Sequence, residues 1–461
     1  MKKLLFVLLL ACFTILNAQA QDCPRIFTKD DTLYTDPAPQ YQWLQDQNPI
    51  PGATKQWYLP AKKGNYAVEV SAGTERFIHC QLLDSAALAQ KTVYRSMEAA
   101  INAQEVVIKL LLEGTSPNQD DLIFITDRFP CLQKLELQNN QLTSVPNSIG
   151  QLQNLQFLIL GENQLNSVPE SIGQLQNLRR LLLYINQLDS VPESIGQLHN
   201  LHHMDLSSNQ LVRVPESIVQ LQNLQTLLLY SNQLTNLPES IGQLVNLQML
   251  YLSQNQLSRL PESIGQLTNL QRLIICMNRL GSVPESIAQL TNLQELELIG
   301  NQLSRLPESI AQLTNLQGLW LYDNKLGSVP ESIGQLTGLQ TLNLGRNQLT
   351  SLPESMSELT KLQELDLGSN QLKSLPESFG QIGSLLQLDL SNNQLTNLPN
   401  TIGLLSRLQK LNLASNQLTS LPSTIANLKD SLKTLYLYGN PISEEEQAKI
   451  RWWLPNTNIT F

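Results

Sequence analysis

One spacing constrains this chain more than any other: an asparagine returns every 23 residues, at Asn140, Asn163, Asn186, Asn209, Asn232, Asn255, Asn278, Asn301, Asn324, Asn347, Asn370, Asn393, Asn416 and, after a single extra residue near Lys429–Ser431, Asn440. Around each lies L-x-x-L-x-L-x-x-N-x-L, followed by x-x-(L/V)-P and, in most copies, E-S-I-G-Q-L. A fixed period of that length is the signature of a solenoid, in which each unit buries its apolar side chains against its neighbours. Within Leu293-x-x-Leu296-x-Leu298, the x-L-x-L stretch alternates with period two, so it predicts a short strand with leucines inward and variable residues outward. Asn301 then stands where the chain leaves the strand. An amide both donates and accepts, so it can satisfy backbone groups of its own and the neighbouring repeat. Pro307 restarts the chain as the expected first residue of a short helical turn, and Ile310 and Leu313 close the far side of the core.

These fourteen copies, spanning 132–442, resemble the leucine-rich repeat superfamily in its 23-residue LPxxIxxL form. The resemblance implies an α/β solenoid: a right-handed horseshoe with a parallel β-sheet on its concave face. Met204, Ile275, Met356, Phe379 and Ile382 replace framework leucine or isoleucine, all of them apolar.

Both ends of such a stack need closing segments. The region 85–131 is expected to form an N-terminal cap. Val93, Met97, Ala100 and Ile101 stand at helical spacing, and Val107–Leu112 reads as a degenerate repeat without its asparagine. The region 443–461 is expected to cap the other end. Ser443 and Glu446 make a capping-box pattern, a helix runs to about Leu454, Pro455 stops it, and Asn458–Phe461 adds a last strand. Trp452 and Trp453 are expected as lids on the apolar core.

The first eighty residues differ. Met1-Lys2-Lys3, an apolar run from Leu4 to Leu16, and Ala18-Gln19-Ala20 read as a secretory signal peptide over 1–20, of a short bacterial type, cleaved after Ala20. A lipoprotein cleavage before Cys12 is the weaker alternative, because the apolar run continues past it. No stretch reaches the roughly 20 apolar residues of a transmembrane helix. The leader argues against an intracellular scaffold. Residues 21–84 carry short alternating runs at Thr32–Thr35, Tyr41–Leu44, Gln56–Tyr58, Gly64–Val70 and Arg76–Cys80, separated by turn signals such as Asn48–Thr54, and predict a small all-β sandwich. Tyr41-Gln-Trp43, Ile50-Pro-Gly-Ala-Thr54 and Gly64-x-Tyr66-x-Val68-x-Val70 resemble the immunoglobulin-like modules of bacterial surface proteins. That resemblance implies Trp43 as the core tryptophan and Tyr66 at the tyrosine corner. Val68 stands where the usual cysteine would be, so the usual inter-sheet disulfide is not expected. Export permits other disulfides among Cys23, Cys80, Cys131 and Cys276. Three full pairings are open, Cys23 with Cys80 being the one preferred here, and Cys276 is expected to be a free thiol.

The formal charge is −9, and loss of a leader with two lysines and no acid makes the remainder more acidic still. This argues against nucleic acid, which needs a basic footprint, and against anionic membrane surfaces. None of G-x-S-x-G, the P-loop, H-E-x-x-H, G-x-G-x-x-G or C-x-x-C occurs. His199, His202 and His203 are expected to be solvated, and the recurrent P-E-S-I glutamates suit a helix N-terminus. No metal or cofactor is expected. An enzyme would need its catalytic part within 21–130, which holds one histidine.

Function in a solenoid is expected on the strand-lined surface, roughly 60 Å of arc for fourteen strands. Its central variable column reads Glu136, Ile159, Leu182, Asp205, Leu228, Tyr251, Ile274, Glu297, Trp320, Asn343, Asp366, Asp389, Asn412 and Tyr436, mostly apolar in repeats two to nine and polar or acidic later. Phe157, Tyr184, Ile185, Tyr230, Met249, Met277 and Tyr322 stand beside it. Aromatic and β-branched residues favour strands in any case. An apolar tract of this extent nevertheless points to an interaction site, with Phe157, Ile159, Tyr184, Tyr230, Tyr251, Trp320 and Tyr322 as the contact candidates. The resulting expectation is a non-enzymatic exported protein that holds a protein partner in adhesion or host- or cell-surface recognition. Glycan or cell-wall polymer stacked on Trp320, Tyr322, Tyr251 and Tyr230 is the alternative, and pairing of two copies through the apolar face stays open.

Overall fold

In the computed structural model, the described residues are the strand segments within 26–78, residues 92–101 and residues 109–461. For the first group the backbone alone is described. It forms β1 (Ile26–Lys29), β2 (Thr32–Thr35), β3 (Gln40–Gln45), β4 (Asn48–Pro49), β5 (Trp57–Tyr58), β6 (Tyr66–Ala72) and β7 (Glu75–Ile78). Antiparallel pairing arranges them as β1-β2-β5 and β4-β3-β6-β7, with Trp43 opposite Val68. β4 falls in a stretch read from the sequence as turn. The leader, and the proposed Cys23–Cys80 pair, lie outside the described residues. Cys131 is disulfide-bonded.

The chain divides into two compact units, Met1–Leu211 with Pro215–Leu224, and Val212–Val214 with Gln225–Phe461. In the first, β8 (Val93–Tyr94), β9 (Lys109–Leu111), β10 (Lys134–Glu136), β11 (Phe157–Ile159), β12 (Arg180–Leu182) and β13 (His203–Asp205) form a parallel ladder. Leu110 and Leu112 of the degenerate repeat are buried. One expectation changes here, and one element is new. Val93 belongs to a strand rather than to the helix α1 (Met97–Ile101). The return from β9 is a genuine helix, α2 (Gln119–Arg128), that the leucine pattern does not announce. Its signal is the capping box Asn118-x-x-Asp121: Asn118 Oδ1 accepts from Asp121 N at 3.0 Å, and Asp121 Oδ2 accepts from Asn118 N at 2.8 Å. Leu122 and Ile125 on its inner face are buried.

In the second unit, eleven parallel strands follow: β14 (Thr226–Leu228), β15 (Met249–Tyr251), β16 (Arg272–Ile274), β17 (Glu295–Glu297), β18 (Gly318–Trp320), β19 (Thr341–Asn343), β20 (Glu364–Asp366), β21 (Gln387–Asp389), β22 (Lys410–Asn412), β23 (Thr434–Tyr436) and β24 (Asn458–Thr460). Register is in step throughout, so that Leu296 pairs Leu319 and Asp366 pairs Asp389. The framework leucines are fully buried, as are Ile275, Met356, Phe379 and Ile382.

Each repeat turns by the same device. The Asn301 amide donates to Ile275 O of the previous repeat at 2.9 Å and to its own Leu298 O at 3.0 Å, while its oxygen accepts from Leu280 N at 3.1 Å. In the first unit, Asn163 Oδ1 likewise accepts from Leu142 N, and its amide donates to Leu137 O and Leu160 O. The residue before each ladder asparagine has φ between 51° and 75°. Glycine fills that left-handed position at 300 and 439, whereas Ile185 and Met277 bear its steric cost.

The convex return is a 3₁₀ turn, and the proline stands one residue before it rather than as its first residue. Pro307 is extended, with ψ at 146°, and its carbonyl accepts from Ile310 N at 3.1 Å. A 3₁₀ segment rises about 2.0 Å per residue, which suits a return of so few residues. The extra residue of the last repeat is absorbed here: Ser423–Leu428 has six residues, where the preceding Asn400–Leu404 has five. A second asparagine series, unnoticed in the sequence, secures the re-entry to the strand. Asn269, Asn292 and Asn315 donate to Val245 O, Thr268 O and Thr291 O, each at 2.8 Å. It stops where Gly338 replaces asparagine.

The last helix is α3 (Glu444–Trp453), capped by Ser443 Oγ accepting from Glu446 N at 3.3 Å. Ile450 and Leu454 cover the core, but Trp452 is 79% exposed and is no lid. The helix turns its Ile450 face inward, which carries position 452 to solvent.

The ladder predicts that Asn301→Ala, which strands the Leu280 N–H and takes one of two amide donors from each of Ile275 O and Leu298 O, costs about 1–3 kcal/mol of stability, measured by urea unfolding. A loss no larger than that of the exposed Asn315→Ala would show that the ladder does not hold the turn.

Candidate functional site

The alternation of each strand decides what the solvent-facing surface carries. In the first unit, Phe157 and Ile159 of β11 and Tyr184 beyond β12 share one face, all half-buried. A β-carbon at Gly161 would overlap the Tyr184 ring, so the glycine lets that ring lie against the backbone. The Tyr184 hydroxyl reaches Gln138 Oε1 at 3.4 Å. Burial raises the pKa of this phenol, and Glu162, Asp205, Glu113 and Glu136 add to the rise. Next to it Ile185 is 51% exposed with φ at 51°. A β-branched side chain in that region costs about 1–3 kcal/mol.

The second unit carries Tyr230, Tyr251, Trp320 and Tyr322. They do not form one continuous aromatic box. Tyr251 and Trp320 stand three strands apart, about 14 Å, with Ile274 and Glu297 between them in register. Tyr251 hydrogen-bonds Arg272, which with Glu295 raises the guanidinium pKa, and Arg272 Nε lies 3.0 Å from Glu295 Oε2. Trp320 and Tyr322 leave the same strand on the same face. The Trp320 ring lies over Gly318, where a β-carbon would collide with it. Tyr230 and Tyr322 are more than one-third exposed, and Tyr251 and Trp320 less. The most open apolar side chain at this strand exit is Met277, at 59%. Sequence reading placed Met277 and Ile185 only beside the site; their signal was a bulky residue in the left-handed position.

From β18 to β22 the surface dips into a recess of about 260 Å³ between Trp320, Asn343, Asp366, Asp389, Lys410 and Asn412. The four Asx side chains fold over their own strand ends. Asn343, Asp366, Asp389 and Asn412 accept from the N–H of Gly345, Gly368, Ser391 and Ala414 at 3.0, 2.9, 2.8 and 3.2 Å. Burial raises the pKa of Asp366, and the neighbouring Asp389 raises it further, against the lowering effect of the Gly368 and Asn343 hydrogen bonds. The sequence showed these residues as polar or acidic; register makes 366 and 389 adjacent.

Cys276 is a free, half-buried thiol, 3.5 Å from Glu297 Oε2, and burial pushes its pKa up to about 11. His203 is half-buried. Its pKa is lowered by burial and by Arg180, with Asp205 opposing, while His202 Nδ1 lies 2.7 Å from Asn200 O. Among the described residues, no three His, Cys, Asp or Glu side chains converge as a metal site, and no helix is long and apolar enough to cross a membrane.

A solenoid of in-register parallel strands with an open strand face defines a repeat scaffold. Models described as leucine-rich repeats match 130–188, 176–234, 314–372, 337–395 and 360–418, a leucine-rich repeat region matches 227–319, and a two-copy repeat model matches 406–447. The chain belongs to the leucine-rich repeat family. Among solved structures, a leucine-rich repeat protein of Leptospira interrogans is 38% identical, covers 80% of this chain and 100% of its own, and has a TM-score of 0.72. A plant peptide hormone receptor solved with its peptide is 30% identical over 72% of this chain and 55% of its own, with a TM-score of 0.64. An internalin of Listeria monocytogenes is 25% identical over 62% of this chain and 84% of its own, with a TM-score of 0.55. No curated protein matches. The fold is typically a non-catalytic scaffold for protein partners.

Two outcomes follow. Asp366 has a raised pKa when folded, so wild-type stability falls as pH rises through that value. Asp366→Asn removes the effect and should melt at or above wild type at pH 7, the difference closing as pH falls; a lower melting temperature at pH 7 would refute the account. At pH 8, Cys276 should alkylate roughly a hundredfold more slowly folded than in urea, because its thiolate fraction falls tenfold per pKa unit. Equal rates, read by mass spectrometry of the Cys276 peptide, would contradict its burial.

Proposed function

We propose that the protein is a non-enzymatic, exported, bacterial binding protein whose strand-lined face holds a protein partner, in adhesion or in host- or cell-surface recognition. The observation that carries this reading is the open strand face of the second unit, where Tyr251, Trp320 and Tyr322 stand on a rigid ladder with no part of their own unit covering them. Half-exposed aromatic rings on a fixed backbone supply contact area at small entropic cost. Phe157, Ile159 and Tyr184 offer the same in the first unit, and Tyr230 stands at the start of the second. The hormone receptor solved with its peptide supports a protein ligand rather than a small molecule. Export rests on the leader with its cleavage after Ala20. The β module, read as immunoglobulin-like, serves as a spacer or second contact.

The test is capture of partners from surface-exposed material with wild type and with Trp320→Ala/Tyr251→Ala. A partner held by wild type and lost by the folded double variant is the expected result, with affinity reduced at least about tenfold. Equal capture by both would remove function from this face. Capture that survives protease treatment of the target would favour a glycan.

A further inference from the structure

Two glycines lie beside the carboxylates that line the recess over β18–β22. A β-carbon at Gly345 would stand 2.9 Å from Tyr322 Cδ2 and 3.0 Å from each carboxylate oxygen of Asp366. One at Gly368 would stand 3.0 Å from Asp389 Oδ1 and 3.3 Å from Asp366 Oδ1. Two bare glycine positions therefore lie against the Tyr322 ring and the two carboxylates at the strand exits, beside the recess that Trp320 lines toward β18.

The fold meets the charge there with neutral donors. The local structural task of the column is to accept an N–H two residues on, and the amides of Asn343 and Asn412 do this as the carboxylates of Asp366 and Asp389 do. Asp389 accepts on both oxygens, Oδ1 from Ser391 N and Oγ and Oδ2 from the Asn412 amide, and the column still sets two like charges on adjacent strands about 4.8 Å apart. Asp389 Oδ2 is met by the neutral Asn412 amide at 2.8 Å, and Asp366 by the Asn343 amide. The lining also holds Glu364, against a single ammonium at Lys410. Like-charged, partly desolvated carboxylates beside aromatic faces are complementary to a planar cation. A guanidinium can bridge two carboxylates while stacking on a ring, which an ammonium cannot do.

We infer that the recess lined by Trp320, Asp366 and Asp389 receives an arginine side chain carried on an extended segment of the protein partner. The inference rests on the reading that this face binds protein, and it specifies the partner's chemistry. The four strand spacings from β18 to β22 span about 19 Å, which about six extended residues cover. Serine between the arginines adds neither charge nor apolar surface.

The probe is a fluorescein-labelled six-residue peptide alternating arginine and serine, titrated by anisotropy against the full chain at physiological salt. Parallel titrations use lysine–serine and glutamate–serine peptides. The expected result is binding of the arginine peptide, weakened at least about tenfold by Asp366→Asn/Asp389→Asn and severalfold by Trp320→Ala. Glu262→Gln/Glu308→Gln removes the same charge from the convex turns and should leave affinity within about twofold. No binding to wild type, an equal loss in the convex variant, or equal affinity for the lysine peptide would each overturn the arginine subsite. The asparagine double variant keeps one acceptor oxygen at each position and loses the other, so thermal melting is measured alongside to separate lost binding from lost folding. A natural partner whose capture needs Trp320 and Tyr251 but not Asp366 and Asp389 would sink this inference alone and leave the strand-face reading standing.

Discussion

The buried asparagine amide is the interaction on which everything else rests. A chain that leaves a three-residue strand and turns within the core exposes carbonyls and an N–H with no water to meet them. The Asn301 side chain answers both in one group, bonding its own repeat and its predecessor. A leucine framework can be filled by methionine, isoleucine or phenylalanine, as at 204, 275 and 379, because dispersion and burial are indifferent to branching at this level. The amide has no such substitute, since no other uncharged side chain of its length donates and accepts at once.

The ladder has consequences for function. By fixing the turn it fixes the strand, and by fixing strand register it places equivalent positions of successive repeats side by side. Any side chain at the third strand position is thereby a neighbour of the same position on both sides. This converts a list of substitutions into a surface pattern: aromatic at 251 and 320, amide at 343, carboxylate at 366 and 389, amide at 412. Residues such as Ile185 and Met277 make the opposite trade. They occupy the left-handed position that glycine fills at 300 and 439, and they leave apolar atoms in water. Strain and exposure together are costs the fold does not require.

The same logic orders the carboxylates. The column sets two carboxylates side by side that repel each other and resist desolvation, so Asp366 trades stability for a field directed into the recess. The aromatic rings beside it gain from their glycines: Trp320 rests over Gly318 and Tyr322 against Gly345, which pre-places both rings before any partner arrives.

The sequence by itself determined the repeat, the strand positions and the residues that face solvent, because a 23-residue period and a two-residue alternation are properties of the chain alone. It also contained the strand at Lys109–Leu111, since L-x-x-L-x-L survives there without its asparagine. Tertiary structure decided what depends on neighbours. The helix Gln119–Arg128 forms where the leucine pattern is silent, held by a cap and by packing of Leu122 and Ile125. Val93 becomes a strand residue because β9 offers it an edge. Trp452, read as a lid, faces water because helix phase is set by Ile450 and Leu454. The separation of Tyr251 from Trp320, and the meeting of Asp366 with Asp389, follow from register: distance across a sheet is counted in strands about 4.8 Å apart, whatever the number of residues between them.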